Sequence, residues 1–176
     1  STVGIFGMGD IGKAFAHRLK GFNTRILYHN RSRHSDAEKE LNATYVTFEE
    51  LLKESDFVIC TAPLTQETEN KFDAKAFEMM KNDAIFINIG RGAIVDEEAL
   101  VAALQRHDIL ACGLDVLRQE PIDMNHPLLQ LPNAVVLPHI GSASRRTRDR
   151  MIQLCVDNIL AVLENKPPIT AVEFKN

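Results

Sequence analysis

No run of apolar residues in this chain approaches the roughly 20 that a helix needs to cross a bilayer, and no signal-like segment opens it. Cationic excess is also missing: the formal net charge is −4 and the sequence pI is near 5.9. That balance gives no electrostatic reason to expect nucleic acid or an anionic membrane as a partner. Cysteine is scarce. Cys60, Cys112 and Cys155 stand singly inside apolar stretches, so buried free thiols in a reducing compartment are expected, not a disulfide framework. Internal repeats, low-complexity tracts and linkers are absent too. What is there, 176 residues of which 45% are hydrophobic, suits one well-packed domain and is short for two. The expectation is a soluble, cytoplasmic, globular chain with no metal site. It opens on Ser1 and enters a strand almost at once, as a piece of a longer protein would.

Strands and helices alternate along the whole length. Short segments, apolar on both faces and bounded by Gly, Pro, Asp or Asn, predict strands over Val3–Phe6, Arg25–Tyr28, Thr44–Val46, Phe57–Thr61, Ile85–Ile89, Ala111–Leu114 and Val135–Leu137. Helical patterns lie between them: Ile11 to Leu19, then Phe48 to Glu54 behind a Thr47/Glu50 capping box, then a helix through Leu100 and Leu104 capped by Asp96. A final helix from Ser144 to Leu163 carries Met151, Leu154, Cys155, Ile159 and Val162 on one face, and Pro167-Pro168 ends it. This alternation predicts a doubly wound parallel α/β sheet, with one domain over residues 1–165 and a tail over 166–176.

The turn after the first strand is Gly7-Met8-Gly9-Asp10-Ile11-Gly12, a G-x-G-x-x-G that opens a helix. The first Gly permits a tight turn, the second lets backbone approach a pyrophosphate, and the third allows close helix–strand packing. The phosphates of a dinucleotide would then rest on the N–H groups at the helix start, from Asp10 and Ile11 onward. In this context the pattern marks a Rossmann-type dinucleotide site and not merely a structural turn. An NAD site wants Asp or Glu at the end of the second strand to accept from the ribose hydroxyls. Here that segment is Tyr28-His29-Asn30-Arg31-Ser32-Arg33-His34, with no carboxylate before Asp36. Asn30 is neutral, Arg31 and Arg33 offer planar forks that match phosphate oxygens, and Ser32 can donate a hydrogen bond. The plain alternative is a solvated basic turn. Its position favours NADP(H), with NAD(H) as the lesser option.

Three more motifs lie just beyond strand ends: Asn88-Ile89-Gly90-Arg91-Gly92, Asp115-Val116-Leu117-Arg118-Gln119-Glu120-Pro121 and Pro138-His139-Ile140-Gly141-Ser142-Ala143. Reduction of a 2-keto acid needs a cation for the substrate's carboxylate and carbonyl, a proton donor, and a group that keeps the donor charged. Arg91, His139 and Glu120 are those three types. Singly, each reads as an ordinary surface ion pair, structural histidine or solvated loop carboxylate. After three successive strands of a dinucleotide fold they form a constellation.

These motifs, with Ala62-Pro63-Leu64-Thr65-x-x-Thr68, are similar in order and over the whole chain to the signatures of D-2-hydroxyacid dehydrogenases. The chain looks most like the glyoxylate/hydroxypyruvate and 2-ketogluconate reductase branch, through Asn-Ile-Gly-Arg-Gly and the Asn-Arg-Ser-Arg turn. The resemblance implies a cofactor-binding domain whose Arg91 binds substrate and whose His139 is the general acid, hydrogen-bonded by Glu120. It also implies that Asp115 meets the nicotinamide carboxamide. The segment Cys60 to Thr68, with Ala62, Pro63 and Thr68, would pass the adenine-side ribose and pyrophosphate, and Ile89, Arg91, His139 and Gly141 would also touch cofactor. A second domain, built mostly from residues before the glycine turn, is expected of the family, so this part alone would bind cofactor and turn over poorly. A homodimer joined through the cofactor domain is implied as well. Other classes considered are an NAD-linked hydroxyacid or phosphoglycerate dehydrogenase and a dinucleotide-sensing corepressor; the Asn30–Arg33 turn argues against the corepressor.

Overall fold

The computed structural model describes residues 1–172. Seven strands form one parallel sheet: β1 (Thr2–Phe6), β2 (Arg25–His29), β3 (Ala43–Tyr45), β4 (Phe57–Cys60), β5 (Ile85–Asn88), β6 (Ala111–Leu114) and β7 (Ala134–Val136). Their order is β3-β2-β1-β4-β5-β6-β7, so the direction in which successive strands are added reverses between β1 and β4. In open parallel sheets such a reversal opens a crevice at the carboxyl ends of the strands, where ligands bind. All seven predicted strands are present, with ends that move by at most one residue.

The helices are α1 (Asp10–Leu19), α2 (Ser35–Leu41), α3 (Phe48–Glu54), α4 (Ala74–Glu78), α5 (Glu97–Arg106) and α6 (Arg145–Leu163). The Thr47/Glu50 capping box at α3 is complete: Thr47 Oγ1 accepts from Glu50 N–H and Glu50 accepts from Thr47 N–H. Asp96 accepts from Ala99 N–H at 3.1 Å and closes the start of α5 as expected. Two short helices, α2 and α4, were not expected. With seven and five residues they are too short to show a helical period.

Burial explains the apolar strands. Val3, Ile5 and Ile26 pack with Met8, Ala16 and Leu41 in one cluster, while Val58, Phe72, Phe77, Phe86 and Leu100 form another. Burying one such side chain stabilises the fold by about 1.5–3 kcal/mol, which is why both strand faces are apolar. Cys60 and Cys112 are buried free thiols, as expected, and burial pushes both up to about 12. Cys155 corrects that expectation: it is free but exposed, on α6.

By internal contact the chain divides into one unit from Ser1 to His139 and a second that begins at Ile140. The sequence reading places one domain over 1–165 and a tail over 166–176; in this division α6 falls in the second unit, with the tail. No residue of α6 is buried, so the apolar face expected there, with Met151 and Ile159, is exposed. Within this unit Asn158 holds the tail, accepting from Thr170 N–H at 3.0 Å. The residues from 173 onward, part of the expected tail, lie outside the described ones. Among the described residues no helix is long and apolar enough to cross a membrane.

Candidate active site

The glycine turn is built by three different constraints. Gly7 has φ +107, and a Cβ there would lie 2.6 Å from the Ala62 backbone nitrogen. Gly12 abuts the Gly7 carbonyl, so the helix packs flush on the turn. Gly9 differs, since a Cβ there would meet nothing within 4 Å. The protein's own packing does not require glycine at that position, and the space is left for something else. Gly9 also begins α1 without a side-chain cap, so the first N–H groups of the helix, including those of Asp10 and Ile11, receive no side-chain oxygen of their own. An uncapped start of a ten-residue helix beside open space fits the phosphates of a dinucleotide.

A hollow of about 380 Å³ adjoins the turn, lined among others by Gly7, Gly9, Asn30, Arg31, Pro63 and Thr68. Ser32 lines it too. Asn30 has a structural task there: its Oδ1 accepts from Met8 N–H at 2.6 Å and ties the glycine turn to the end of β2. Thr68 Oγ1 donates to the Pro63 carbonyl at 2.8 Å and accepts from Thr65 N–H at 2.8 Å, which folds the loop after β4 onto itself. Arg31 is exposed at the rim, 3.9 Å from Glu67. Arg33 is not among the residues lining the hollow. Its guanidinium makes two bonds to Glu38, at 3.0 and 2.7 Å, and lies over the Tyr45 ring. A larger hollow, about 670 Å³, lies beside the start of α5, but its wall includes Asp96, Glu97 and Glu98 and suits phosphate poorly.

The other predicted residues sit at the carboxyl ends of β5, β6 and β7. His139 Nδ1 lies 2.6 Å from Glu120 Oε2, and Glu120 Oε1 accepts from Leu117 N–H at 2.9 Å. The hydrogen bond from His139 and then that from Leu117 hold the Glu120 carboxyl below its ordinary value, with the positive charge of Arg91 adding to the effect. His139 has φ +53, a left-handed backbone that costs a non-glycine residue about 1 kcal/mol or more and collects at functional sites. Arg91 is exposed beyond β5, and its guanidinium donates to the Gly90 carbonyl at 2.7 Å. Asn88, 1% exposed, shapes that turn: it accepts from Gly90 N–H and donates to the Arg91 carbonyl, both at 3.0 Å. In the sequence Asn88 stands out only as the first residue of a motif. Its amide at a buried strand end is the signal that marks it as structural to the site.

The model of the D-isomer specific 2-hydroxyacid dehydrogenase NAD binding domain matches residues 1–141. The chain belongs to this family.

Glyoxylate/hydroxypyruvate reductase B of Escherichia fergusonii is 52% identical over 164 residues, 93% of this chain and 51% of that protein. This dehydrogenase-family chain thus spans about half the length of the curated relatives it matches. Among solved structures, the NADPH-dependent glyoxylate/hydroxypyruvate reductase from Sinorhizobium meliloti, in complex with NADP and malonate, superposes with a TM-score of 0.89. It is 40% identical, and the match covers 97% of this chain and 52% of that one. D-lactate dehydrogenase with NAD+ from Lactobacillus jensenii gives a TM-score of 0.90 at 31% identity, over 98% and 56% of the two chains. Relatives with either dinucleotide therefore share the fold.

In this NAD-binding domain Asp115 is buried just after β6, where its N–H donates to the Asn88 carbonyl at 3.0 Å. Ile89 follows β5, its N–H donating to the Cys60 carbonyl at 3.1 Å, and Ala62 is buried beneath Gly7. Gly141 belongs to the second unit. Thr61, inside the expected Cys60 to Thr68 segment, lines the hollow; His29 and Lys71 also line it and were not assigned to the site, because no local pattern in the sequence marks them.

Proposed function

We propose that this chain is the cofactor-binding part of an NADPH-dependent reductase that converts small 2-keto acids, such as glyoxylate, hydroxypyruvate or 2-ketogluconate, to D-2-hydroxy acids. The observation that carries this reading is the 2.6 Å contact between His139 Nδ1 and Glu120. With Nδ1 held, the proton that His139 can pass to a forming alkoxide is the one on Nε2. Arg91 presents a guanidinium for the substrate's carboxylate and carbonyl oxygen, and Glu120 stabilises the charged imidazole. The dinucleotide, held by the start of α1, the loop from Ala62 to Thr68 and Asp115, supplies hydride when bound.

The preference for NADPH over NADH rests on Arg31 at the rim of the hollow and on the neutral Asn30 where an NAD site wants a carboxylate. Arg31 is the phosphate ligand in this proposal, while Arg33 reaches the phosphate only by leaving Glu38. A homodimer joined through the cofactor domain and a cytoplasmic location belong to the same proposal, through the family resemblance.

Steady-state NADPH oxidation by the full-length protein, with glyoxylate and hydroxypyruvate as substrates, tests it. His139→Ala is expected to lower kcat by about 10²-fold or more, the usual share of a positioned general acid. Turnover that survives this substitution, or an enzyme inert towards 2-keto acids, would overturn the proposal.

A further inference from the structure

The segment that carries Glu120 runs from the end of β6 to Pro127 without helix or strand to hold it. Two successive N–H groups within it go to two different carboxylates. Leu117 N–H donates to Glu120 Oε1 at 2.9 Å, and Arg118 N–H donates to Glu97 Oε1 at 2.6 Å. The other oxygen of Glu97 lies 3.4 Å from Nε2 of His126, at the far end of the same loop. His126 Nδ1 accepts from Leu128 N–H at 3.3 Å, so a neutral His126 carries its proton on Nε2, the nitrogen nearer Glu97. One side chain on the first turn of α5 therefore grips the loop at both ends.

Two further facts separate this from an ordinary solvated carboxylate. The Glu97 side chain is only 14% exposed. The start of α5 does not depend on it, because Asp96 supplies the cap. On another side, Gly92 lies flush against the Leu117–Arg118 peptide, where an added Cβ would collide with the backbone. That peptide, next to Glu120 and to the turn bearing Arg91, is thus pinned by both Gly92 and Glu97.

We propose that Glu97 is a positioning residue: by clamping the Leu117–Arg118 peptide and the His126 end of the loop, it keeps Glu120 in place against His139. This rests on the reading of His139 and Glu120 as the working pair.

The test tracks the titration of the Glu120 side-chain carboxyl by 13C NMR in this chain, with and without Glu97→Ala, alongside the melting temperature. The charged groups facing Glu120 are His139 and Arg91, and both are left intact. Removing the negative charge of Glu97 would by itself move a neighbouring carboxyl's titration down. Loosening the loop weakens the bonds from His139 and Leu117 and moves it up. The proposal expects an upward shift in Glu97→Ala and a smaller one in Glu97→Gln, whose amide oxygen still accepts from Arg118 N–H. If Glu97→Ala does not fold, Glu97→Asp, a methylene too short to reach both partners, carries the same expectation. A titration that stays put or moves down in a folded variant overturns it, even if the melting temperature falls. NADPH binding by the unsubstituted chain tests the proposed function separately, so a failure there leaves the titration readable.

Discussion

The starts of α1 and α5 are both first turns of ten-residue helices in the parallel sheet, and they are closed in opposite ways. At α5 the protein uses its own side chains: Asp96 takes an orphan N–H of the helix, and Glu97 reaches out to the loop that bears Glu120. Thr47, Asp73 and Ser144 likewise close α3, α4 and α6. At α1 the capping position is Gly9, which has no side chain to offer and faces open space. The short α2 also lacks a side-chain cap, and His34 at its start lines the same hollow. Helix starts satisfied from within serve the fold. The ten-residue helix left with bare N–H groups beside open space is the one to which the proposed function assigns the dinucleotide's phosphates.

That contrast can be broken by substitution. The largest effect is expected at Gly7, where φ +107 and the nearby Ala62 backbone both oppose a side chain. Gly7→Ala should cost about 3 kcal/mol, lowering the melting temperature by roughly 6–12 °C in a chain of this size. Gly9→Ala sharpens the comparison. It should leave the melting temperature within about 2 °C of the parent yet weaken NADPH binding about tenfold, equivalent to roughly 1.4 kcal/mol. Equal destabilisation by the two alanines would show that Gly9 serves packing, not ligand. Asp96→Ala should cost about 1 kcal/mol through loss of the cap, a fall of roughly 2–4 °C; an unchanged melting curve would mean that Asp96 does not close α5.

The smallest effect concerns pH. The folded-state carboxyl of Glu120 lies below its ordinary value of 4.5, so its contribution to stability is fully present above that value. It is lost as pH falls through the depressed folded value. The stability difference between the parent and Glu120→Gln should therefore shrink as pH falls below 4.5 in acid denaturation series. A difference that instead grows on acidification would show that the pair is not formed in solution.

Much of this was legible because the signals are local. A parallel strand buried on both faces announces itself as a short apolar run, and Thr47 with Glu50 announces the start of α3. Arg91, Glu120 and His139 stood out because each follows a strand end. The features that escaped depend on partners distant in sequence. Ser-Asp-Ala-Glu-Lys-Glu-Leu, the whole of α2, has only Ala37 and Leu41 to bury and shows no period. Arg33 looked equivalent to Arg31 until Glu38 folded back to hold it. Glu97 sits in a run of three carboxylates, Asp96-Glu97-Glu98, that reads as a solvated face; only the fold brings Arg118 and His126 to it. On α6 the apolar spacing was readable, but spacing does not say what covers a face, and Cys155 proved exposed.

The most direct test of the account is a calorimetric titration of this chain with NADPH and NADH at one low ionic strength. The account predicts tighter binding of NADPH by about tenfold or more, the scale of one charge-assisted phosphate contact. Arg31→Ala should remove that advantage while leaving NADH affinity alone. Equal or tighter binding of NADH, or an equal loss for both dinucleotides in Arg31→Ala, would contradict it.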